Sequence, residues 1–412
     1  MNRIVFYFQV HQPYRLRPYH FFEVGRDPHY FDDHENERVL RRVASKCYRP
    51  MNQALRRLVD ETSGEFRCAF SISTTALEQL ERWAPDVVES FADLARTGCV
   101  EFLAETSHHS LSGLFDRQEF IAQVRNHHAS IRSKLGVNPT VFRNTELVLS
   151  NEIARVAEDL GYSLVLGEGA DRLLGWRSAH RVYRPEETRA IKVLLRSYRL
   201  SDDIAFRFSD RGWDNWPLDA GRFAHWLHEL PAEDHVVGLF MDYETFGEHQ
   251  WAETGIFDFF AALPKRVLDS NRYIFSTPGQ IAAEVDPVAR LDIAHPVSWA
   301  DEERDLGAWL GNDLQRSATT ALYRLLGPAR KAAAAGRPDL LEAWRRLSTS
   351  DHVYYMCTKY DRDGDVHKYF SPHSSPYDAF VTFMNVLADL RQRIRMVTAA
   401  PSAEPQAWQH TA

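Results

Sequence analysis

The sequence predicts an α/β protein, in which a closed or nearly closed barrel of seven or eight βα units precedes a helical domain. Short apolar runs recur along the first two thirds of the chain, and each is followed by polar residues and then by a helical pattern. Such alternation is typical of parallel α/β folds. The predicted strands cover residues 4–10, 68–72, 100–104, 140–142, 163–166, 191–195, 236–241 and 273–275.

The segments between these strands predict amphipathic helices. Residues 38–59, 75–96 and 151–160 carry apolar side chains three and four positions apart, with charges between them. A doubly wound open sheet is the competing architecture, and it typically has fewer strands and a glycine-rich first turn. No G-x-G-x-x-G follows the first strand and no G-x-x-x-x-G-K-[ST] occurs, which favours the barrel and argues against nucleotide binding.

The strand rhythm stops after about residue 287. This change of pattern predicts a barrel domain over residues 1–287 and a helical domain over residues 288–398 that contributes to the active-site cleft. Residues 399–412 have the composition of a disordered tail.

Two segments of the second domain have the apolar spacing of helices. They cover residues 307–326 and 337–347, and the alanine-rich segment 329–336 is predicted to join them. The polar and aromatic residues 351–356, with 363–367 after them, predict either one wall of a cleft or a polar turn between helices.

Composition and charge exclude several function classes. The net charge of −8 includes no long basic block, so nucleic acid is not an expected partner. Four widely separated cysteines indicate neither a zinc ribbon nor a disulfide framework. The N-terminus lacks a signal-type apolar region, and no apolar run approaches the roughly 20 residues that span a bilayer. We therefore predict a cytoplasmic protein without a membrane partner.

Aromatic residues make up 12% of the chain, and several tryptophans lie in polar surroundings. Planar rings of this kind occur in sugar sites, whereas most large rings in proteins fill cores and loop contacts. Both interpretations apply to Trp213, Trp216, Trp251, Trp299 and Trp309.

The first strand ends in polar residues followed by a proline. Pro13 stops the strand and holds His11 and Gln12 near its carboxyl end. Because barrel active sites lie at that end, His11 is predicted to hydrogen-bond a ligand. The alternative is a structural bond to a neighbouring loop.

The third strand contains a carboxylate, Glu101, and leads into two histidines, His108 and His109. A carboxylate inside a strand has to be paired or hydrogen-bonded, because burial of a bare charge is costly. Glu101 therefore either binds substrate or has a structural partner, and the two histidines are secondary candidates.

The fourth strand leads into Arg143 and, three residues later, Glu146. A carboxylate at this end of a barrel strand is predicted to be catalytic. A nearby arginine would keep Glu146 ionised, as a nucleophile requires. The alternative is a structural Arg–Glu pair.

The strand at residues 236–241 is followed by Asp242, Glu244, Glu248 and His249. Two carboxyl groups from different strands, one ionised and one protonated, are the minimum needed to cleave a glycosidic bond. Spacing leaves open whether Asp242 or Glu244 is the acid. The alternative is a solvated acidic loop after a core strand.

A metal site is the main chemical rival, because the chain has 18 histidines. However, neither H-E-x-x-H nor an H-x-x-x-H zinc helix is found, and adjacent histidines of a doublet point in divergent directions. We therefore expect no required catalytic metal.

Together these motifs resemble glycoside hydrolase family 57, over about residues 1–395. The family's five motifs fall on residues 11–13, 98–101, 143–146, 242–247 and 309–313. In the family the third motif carries the nucleophilic glutamate, here Glu146, and the fourth carries the aspartate that acts as general acid, here Asp242.

The resemblance implies an incomplete, TIM-like (β/α)7 barrel followed by a helical domain. It also implies a retaining enzyme that acts on α-1,4-glucans such as starch, glycogen or maltodextrin, without metal or organic cofactor. The two carboxyl groups would lie roughly 5–5.5 Å apart. Sugar contacts are implied for His11, Glu101, Arg143, Glu244, Trp309 and Asp313.

For Trp309 and Asp313 the alternatives are a ring that packs between helices and a solvated acid. Three other functions stay open. A 4-α-glucanotransferase would share every catalytic residue. A metal-dependent polysaccharide deacetylase would use a similar irregular barrel, and a catalytically silent glucan-binding protein would use the same one.

Overall fold

The computed structural model describes residues 1–359 and 371–399. Seven parallel strands curl into an incomplete barrel, with helices between them and after them, which confirms the predicted fold class. The described strands are β1 (Asn2–Val10), β2 (Cys68–Ile72), β3 (Val100–Phe102), β4 (Val141–Arg143), β5 (Leu164–Glu168), β6 (Arg184–Pro185), β7 (Lys192–Arg196), β8 (Val236–Asp242), β9 (Tyr273–Phe275) and β10 (Arg290–Leu291).

The barrel strands follow the order β3-β2-β1-β8-β7-β5-β4. β7 and β8 meet at one residue pair, Arg196 with Gly238. A Cβ atom at Gly238 would lie 2.5 Å from the carbonyl oxygen of Leu195, so this close approach requires glycine. β3 and β4 are the two terminal strands of this order. Ala104, which follows β3, forms a parallel bridge with Phe142 of β4.

The predicted eighth strand does not join this order. β9 pairs instead with the start of β1, from Asn2 to Ile4, on the edge of β1 that β2 occupies from Phe6 onward. β6 and β10 form a separate two-stranded sheet.

β1 is buried on both faces, which explains its continuous apolar sequence. Ile4, Phe6 and Phe8 belong to the hydrophobic cluster between the barrel and its surrounding helices. Val5 and Tyr7 belong to a smaller cluster inside the barrel.

The helical elements largely follow the predicted periodicity. They are α1 (Asp33–Val43), α2 (Arg49–Glu61), α3 (Thr74–Trp83), α4 (Pro85–Arg96), α5 (Arg117–Leu135), α6 (Asn151–Asp159), α7 (Asp171–Leu174), α8 (Tyr198–Ala205), α9 (Ala220–Glu229), α10 (Ile256–Leu268), α11 (Pro278–Glu284), α12 (Gly307–Leu310), α13 (Asp313–Ala334), α14 (Pro338–Leu347), α15 (Ser350–Tyr354) and α16 (Pro376–Thr398).

One predicted connection is wrong. Residues 329–336 were expected to join two helices, but α13 continues through most of them and ends at Ala334. Alanine is the strongest helix former, and Ala329 and Ala332 are buried in the packing of α13 against its neighbours. The actual break comes earlier, where Asn312 caps the start of α13 and separates it from α12.

The helices α13, α14 and α16 share a hydrophobic cluster with the segment that follows β1. Leu16, Tyr19 and Tyr30 contribute to it from that segment. The domain boundary near residue 287 stays a prediction. The predicted tail after residue 399 and the run 363–367 lie outside the described residues.

Among the described helices, none combines the length and the apolar character that a membrane span would need.

Candidate active site

Glu146 lies in a tight turn directly after β4. The backbone φ angles of Glu146 and Leu147 are +58° and +51°, in the left-handed region that residues other than glycine rarely adopt. The turn is closed by the Leu147 N–H, which donates to the carbonyl oxygen of Asn144 at 3.0 Å. Such conformations persist only where the surrounding structure enforces them, and they concentrate at functional sites.

Three donors contact the carboxyl group of Glu146, whose side chain is 18% exposed. The Trp299 Nε1–H donates to Oε2 at 2.8 Å, and the Ser350 hydroxyl donates to Oε1 at 3.0 Å. The Nε2 atom of His109 lies 3.3 Å from Oε1. Burial acts to raise the pKa of Glu146, but His109 and the charge of Arg143 outweigh it and lower that pKa. Glu146 is therefore held as an anion.

His109 connects Glu146 to a second, fully buried carboxylate. Its Nδ1 atom lies 2.9 Å from Oε2 of Glu105. Burial acts to lower the pKa of His109, but the two carboxylates prevail and raise it to about 9. Glu105 also accepts from the Gln9 side-chain amide at 3.1 Å. Although burial opposes it, the bond to His109 and nearby positive charges lower the pKa of Glu105 to about 2.

His11, predicted from the end of the first strand, stacks on His109 with ring centroids 4.0 Å apart. The Ser73 hydroxyl donates to His11 Nδ1 at 2.7 Å, and His11 Nε2–H donates to Asp351 at 3.0 Å. Burial and the positive charge on His109 lower the pKa of His11. The stacked pair therefore consists of one neutral and one charged imidazole. Burial opposes ionisation of Asp351, yet His11 keeps its pKa below the usual range.

Asp242, the last residue of β8, has the opposite electrostatic setting. Burial and the negative charge of Glu146 raise its pKa to about 6, and the positive charge of Arg143 only partly offsets them. The side chain is partly exposed. In weakly acidic solution a proton is therefore held at Asp242 while Glu146 stays ionised. Two carboxyl groups whose pKa values are pushed apart in this way can divide the roles of acid and nucleophile.

Glu244 lies in the short 3-10 turn Tyr243–Thr245 that follows Asp242. It is buried, accepts from the Tyr48 hydroxyl, and accepts from the Gln12 side-chain amide at 3.3 Å. Burial and the charge of Asp242 raise its pKa to about 8. Glu248 is also buried and forms an ion pair of 2.6 Å with Arg42.

Arg143 lies completely buried below this group. Its guanidinium carbon is 4.7 Å from the centre of the Trp299 ring, and one nitrogen is 4.0 Å from Glu105. None of its three side-chain nitrogens has a hydrogen-bond partner in the described part of the chain. Arg143 therefore acts on Glu146 and Asp242 through its charge.

The loop that carries Trp299 is held by a buried charge network. The Arg304 guanidinium donates to the carbonyl oxygen of Trp299 at 3.2 Å and to Asp202 at 3.0 Å. Asp202 also accepts from Arg196, whose guanidinium carbon lies 5.9 Å from the Trp299 ring centre. These contacts fix the indole whose N–H reaches Glu146.

Three predicted site residues are not brought to this group. Glu101 instead accepts from the backbone N–H of Gly279 at 2.7 Å, near the start of α11. Trp309 is buried in a hydrophobic cluster outside the barrel. Asp313 is 96% exposed and pairs with Arg316 at 2.7 Å.

Several residues around Glu146 are predicted only weakly, or not at all, from the sequence. Glu105 and Ser350 had no signal of their own. His109 was a secondary candidate, and Trp299 was one of five tryptophans noted for polar surroundings. Asp351 belongs to the polar run predicted as a possible cleft wall. Its contact with His11 connects that run to the site.

Over residues 1–359 and 371–399, no group of three or more His, Cys, Asp or Glu side chains is arranged to hold a metal ion.

The model of the glycosyl hydrolase family 57 matches residues 5–294, which include Glu146 and Asp242. The chain belongs to glycosyl hydrolase family 57. The predicted membership is thus confirmed, and the protein is a glycoside hydrolase. A relative from Methanocaldococcus jannaschii, named "Putative alpha-amylase", is 38% identical over 96% of this chain and 85% of its own length.

Solved structures share the fold. A 4-alpha-glucanotransferase from Thermococcus litoralis superposes with a TM-score of 0.65 at 15% identity, over 86% of this chain. The match spans only 56% of that protein's chain. The alpha-amylase AmyC from Thermotoga maritima superposes with a TM-score of 0.60 at 12% identity, over 97% of both chains.

A branching enzyme of this family from Thermococcus kodakaraensis has a TM-score of 0.64 at 14% identity, over 86% of each chain. These three structures therefore share the fold described above, while their names are those of a 4-alpha-glucanotransferase, an alpha-amylase and a branching enzyme.

Proposed function

We propose that this enzyme hydrolyses α-1,4-glucans with retention of anomeric configuration, with Glu146 as nucleophile and Asp242 as general acid and base. The observation that carries the proposal is the opposite electrostatic setting of the two carboxyl groups. Three donors and two nearby cations favour the anion at Glu146, whereas burial and the charge of Glu146 favour the proton at Asp242. A retaining glycosidase needs this division.

In the first step, a carboxylate oxygen of Glu146 attacks the anomeric carbon and the bond from that carbon to the glycosidic oxygen breaks. Asp242 gives its proton to the departing oxygen, so the leaving chain is released as an alcohol. In the second step, water attacks the anomeric carbon and Asp242 takes one of its protons. The ester bond to Glu146 then breaks, and a product of the original α configuration results.

Two observations support an α-glucan as substrate. The 38% identical relative carries an alpha-amylase name, and the structural neighbours include proteins named amylase and 4-alpha-glucanotransferase. Within the site, the partly exposed Asp351 and its partner His11 offer a carboxylate and an imidazole beside Glu146. Paired groups of this kind bind sugar hydroxyls. His11 thus keeps its proposed role in substrate binding.

Azide rescue tests the two roles separately. With an activated α-glucosyl substrate, Glu146→Ala supplied with azide is expected to form the β-glycosyl azide, because azide occupies the space of the missing nucleophile. Asp242→Ala is expected to form the α-glycosyl azide, because azide replaces water in the second step. The same anomer from both variants, or no rescue of either, would contradict the assignment.

Incubation with maltoheptaose distinguishes hydrolysis from transfer. Only shorter oligosaccharides are expected if water is the acceptor, and oligosaccharides longer than maltoheptaose would show that a sugar hydroxyl accepts the glycosyl unit. Release of acetate from acetylated polysaccharides, abolished by a chelator, would instead support the deacetylase alternative.

A further inference from the structure

We infer that His109, oriented by Glu105, is a positioning residue that keeps the Glu146 carboxylate anionic and fixed for attack. The inference rests on the proposed nucleophilic role of Glu146 and adds a second and a third residue behind it. Neither His109 nor Glu105 has to touch the substrate for this role.

The position of His109 between two carboxylates favours a charged ring. Its Nδ1 atom lies 2.9 Å from one carboxylate, Glu105, and its Nε2 atom lies 3.3 Å from another, Glu146. A neutral imidazole has only one N–H, so it can donate to only one of two ionised acceptors. An imidazolium donates to both, and such charge-assisted bonds are stronger than neutral ones.

The backbone fixes His109 between the two carboxylates. Its φ angle is +49°, again in the left-handed region, and its carbonyl oxygen accepts from the backbone N–H of Ser350 at 2.9 Å. Ser350 is also the residue whose hydroxyl donates to Glu146. The contacts that His109 and Ser350 make to Glu146 are therefore linked by one backbone hydrogen bond.

Glu105 is held on the side away from Glu146. It is fully buried, and its backbone N–H donates to Nδ1 of His127 at 3.1 Å. The side-chain amide of Gln9 donates to its other carboxylate oxygen at 3.1 Å. A carboxylate held in this way selects the orientation of the imidazole that it contacts, as in many catalytic histidines.

The remaining charged groups around His109 come from other elements. Its ring face is covered by His11 from the end of β1, which stays neutral. Asp351 from α15 adds negative charge, Asp242 from β8 adds it once its own proton is lost, and Arg143 from β4 adds positive charge. With Glu105 and Glu146, four acidic groups face this histidine, so the cation is favoured.

The chain offers a matched control in the adjacent histidine. His108 is also buried, but it contacts Ser107 at 2.8 Å and Glu342 at 3.0 Å instead of the two carboxylates. We compare His109→Gln with His108→Gln. Glutamine can keep one hydrogen bond but cannot supply the positive charge, so the comparison isolates that charge.

The measurement is the pH dependence of kcat/KM on a maltooligosaccharide. For His109→Gln we expect kcat to fall about 100-fold with KM changed less than about threefold, and the acid limb to move up by about one pH unit. Glu105→Gln should move the acid limb in the same direction, and His108→Gln should leave it in place. An unmoved limb in His109→Gln, or an equal shift in His108→Gln, would overturn the inference.

A second readout does not depend on activity. Titration of ¹⁵N-histidine-labelled full-length protein by NMR, with His109→Gln used for assignment, should show His109 still protonated at pH 8. In Glu105→Gln the same ring should lose its proton at lower pH. A neutral His109 at pH 7 in the wild type would refute the inference.

The two measurements separate two kinds of failure. A wild type without activity on any α-glucan would refute the proposed function, while the titration would still report on the histidine and its carboxylates. If His109→Gln does not fold, the His109 ring is assigned by its changed resonance in Glu105→Gln, and the wild-type and Glu105→Gln titrations decide the question.

Discussion

The carboxyl ends of β4 and β8 each place a carboxyl group in the same site, but the two groups have different hydrogen-bond donors and neighbouring charges. At the β4 exit, Glu146 receives an indole N–H, a hydroxyl and a charged imidazole. At the β8 exit, Asp242 has burial and a neighbouring anion, and its pKa rises to about 6. The difference teaches that the residue type alone does not set the role. The number and charge of donors contributed by other loops set it.

Removal of the β4 carboxylate is expected to have the largest effect. Glu146→Gln should lower kcat by about 10⁴-fold or more, because the amide cannot attack the anomeric carbon. The measurement is steady-state kinetics on a maltooligosaccharide, with the thermal unfolding midpoint as a control for folding. Full activity in this variant would remove the basis of the comparison between the two exits.

Removal of the β8 carboxyl group should cost less and should depend on the substrate. Asp242→Asn is expected to lower kcat by about 10²- to 10⁴-fold on a glucan, the usual range for loss of general acid catalysis. On a substrate such as a glycosyl fluoride, whose leaving group needs no proton, the first step should be much less impaired. An equal loss on both substrates would show that Asp242 is not the acid.

Loss of one hydrogen-bond donor to Glu146 tests whether such donors keep this carboxyl group ionised. Trp299→Phe keeps a ring next to Arg143 but removes the N–H that reaches Glu146 at 2.8 Å. A hydrogen bond to a charged group contributes about 1.5–3 kcal/mol, so kcat/KM should fall roughly 10- to 100-fold. We also expect the acid limb of the pH profile to rise. Unchanged kcat/KM and an unmoved limb would show that the indole N–H has no part in holding Glu146 ionised.

The pH profile of the wild type follows from the opposite pKa shifts of Glu146 and Asp242. As pH falls, kcat/KM should drop where Glu146 takes up a proton, below the ordinary range of glutamate because its pKa is lowered. As pH rises, kcat/KM should drop near 6, where Asp242 loses its proton. The expected optimum is therefore acidic. The measurement is kcat/KM on a maltooligosaccharide across the acidic and neutral range, and a value that does not fall as pH rises above 6 would contradict this assignment.

The smallest expected effect concerns stability. The pKa of buried Glu244 is raised to about 8 in the folded protein, whereas the unfolded chain releases this proton at about pH 4.5. The free energy of unfolding should therefore decrease as pH rises from about 4.5 to 8. Glu244→Gln should reduce this loss, by on the order of 2 kcal/mol. Urea unfolding at pH 5 and pH 8 measures it. An equal pH dependence in both proteins would show that Glu244 is ionised in the fold.

Sequence predicted the fold class and the two carboxyl groups because both depend on local patterns. Apolar runs followed by acids, as at Met241 and Asp242, mark the ends of buried strands. The family resemblance, not the spacing, singled out Asp242 over Glu244. The structure supplies a physical contrast, since Glu244 is buried against Tyr48 and Gln12.

The supporting residues could not be predicted because their roles depend on contacts between distant segments. Trp299 and Ser350 reach Glu146 across 153 and 204 positions of the chain. Glu101 is the opposite case, a residue predicted for the site that lies elsewhere. Its place in a strand indicated a buried carboxylate, but the sequence did not reveal that its partner would be the start of α11.

These long separations have a consequence for how the enzyme is made. During synthesis the barrel strands up to β8 emerge first, with Glu146 and Asp242 already present. The indole, the hydroxyl and Asp351 follow only with residues 299–351. A chain interrupted near residue 287 would therefore carry both carboxyl groups but lack two of the three donors that hold Glu146. The growing polypeptide completes the surroundings of the proposed nucleophile late, once residues 299–351 have reached Glu146.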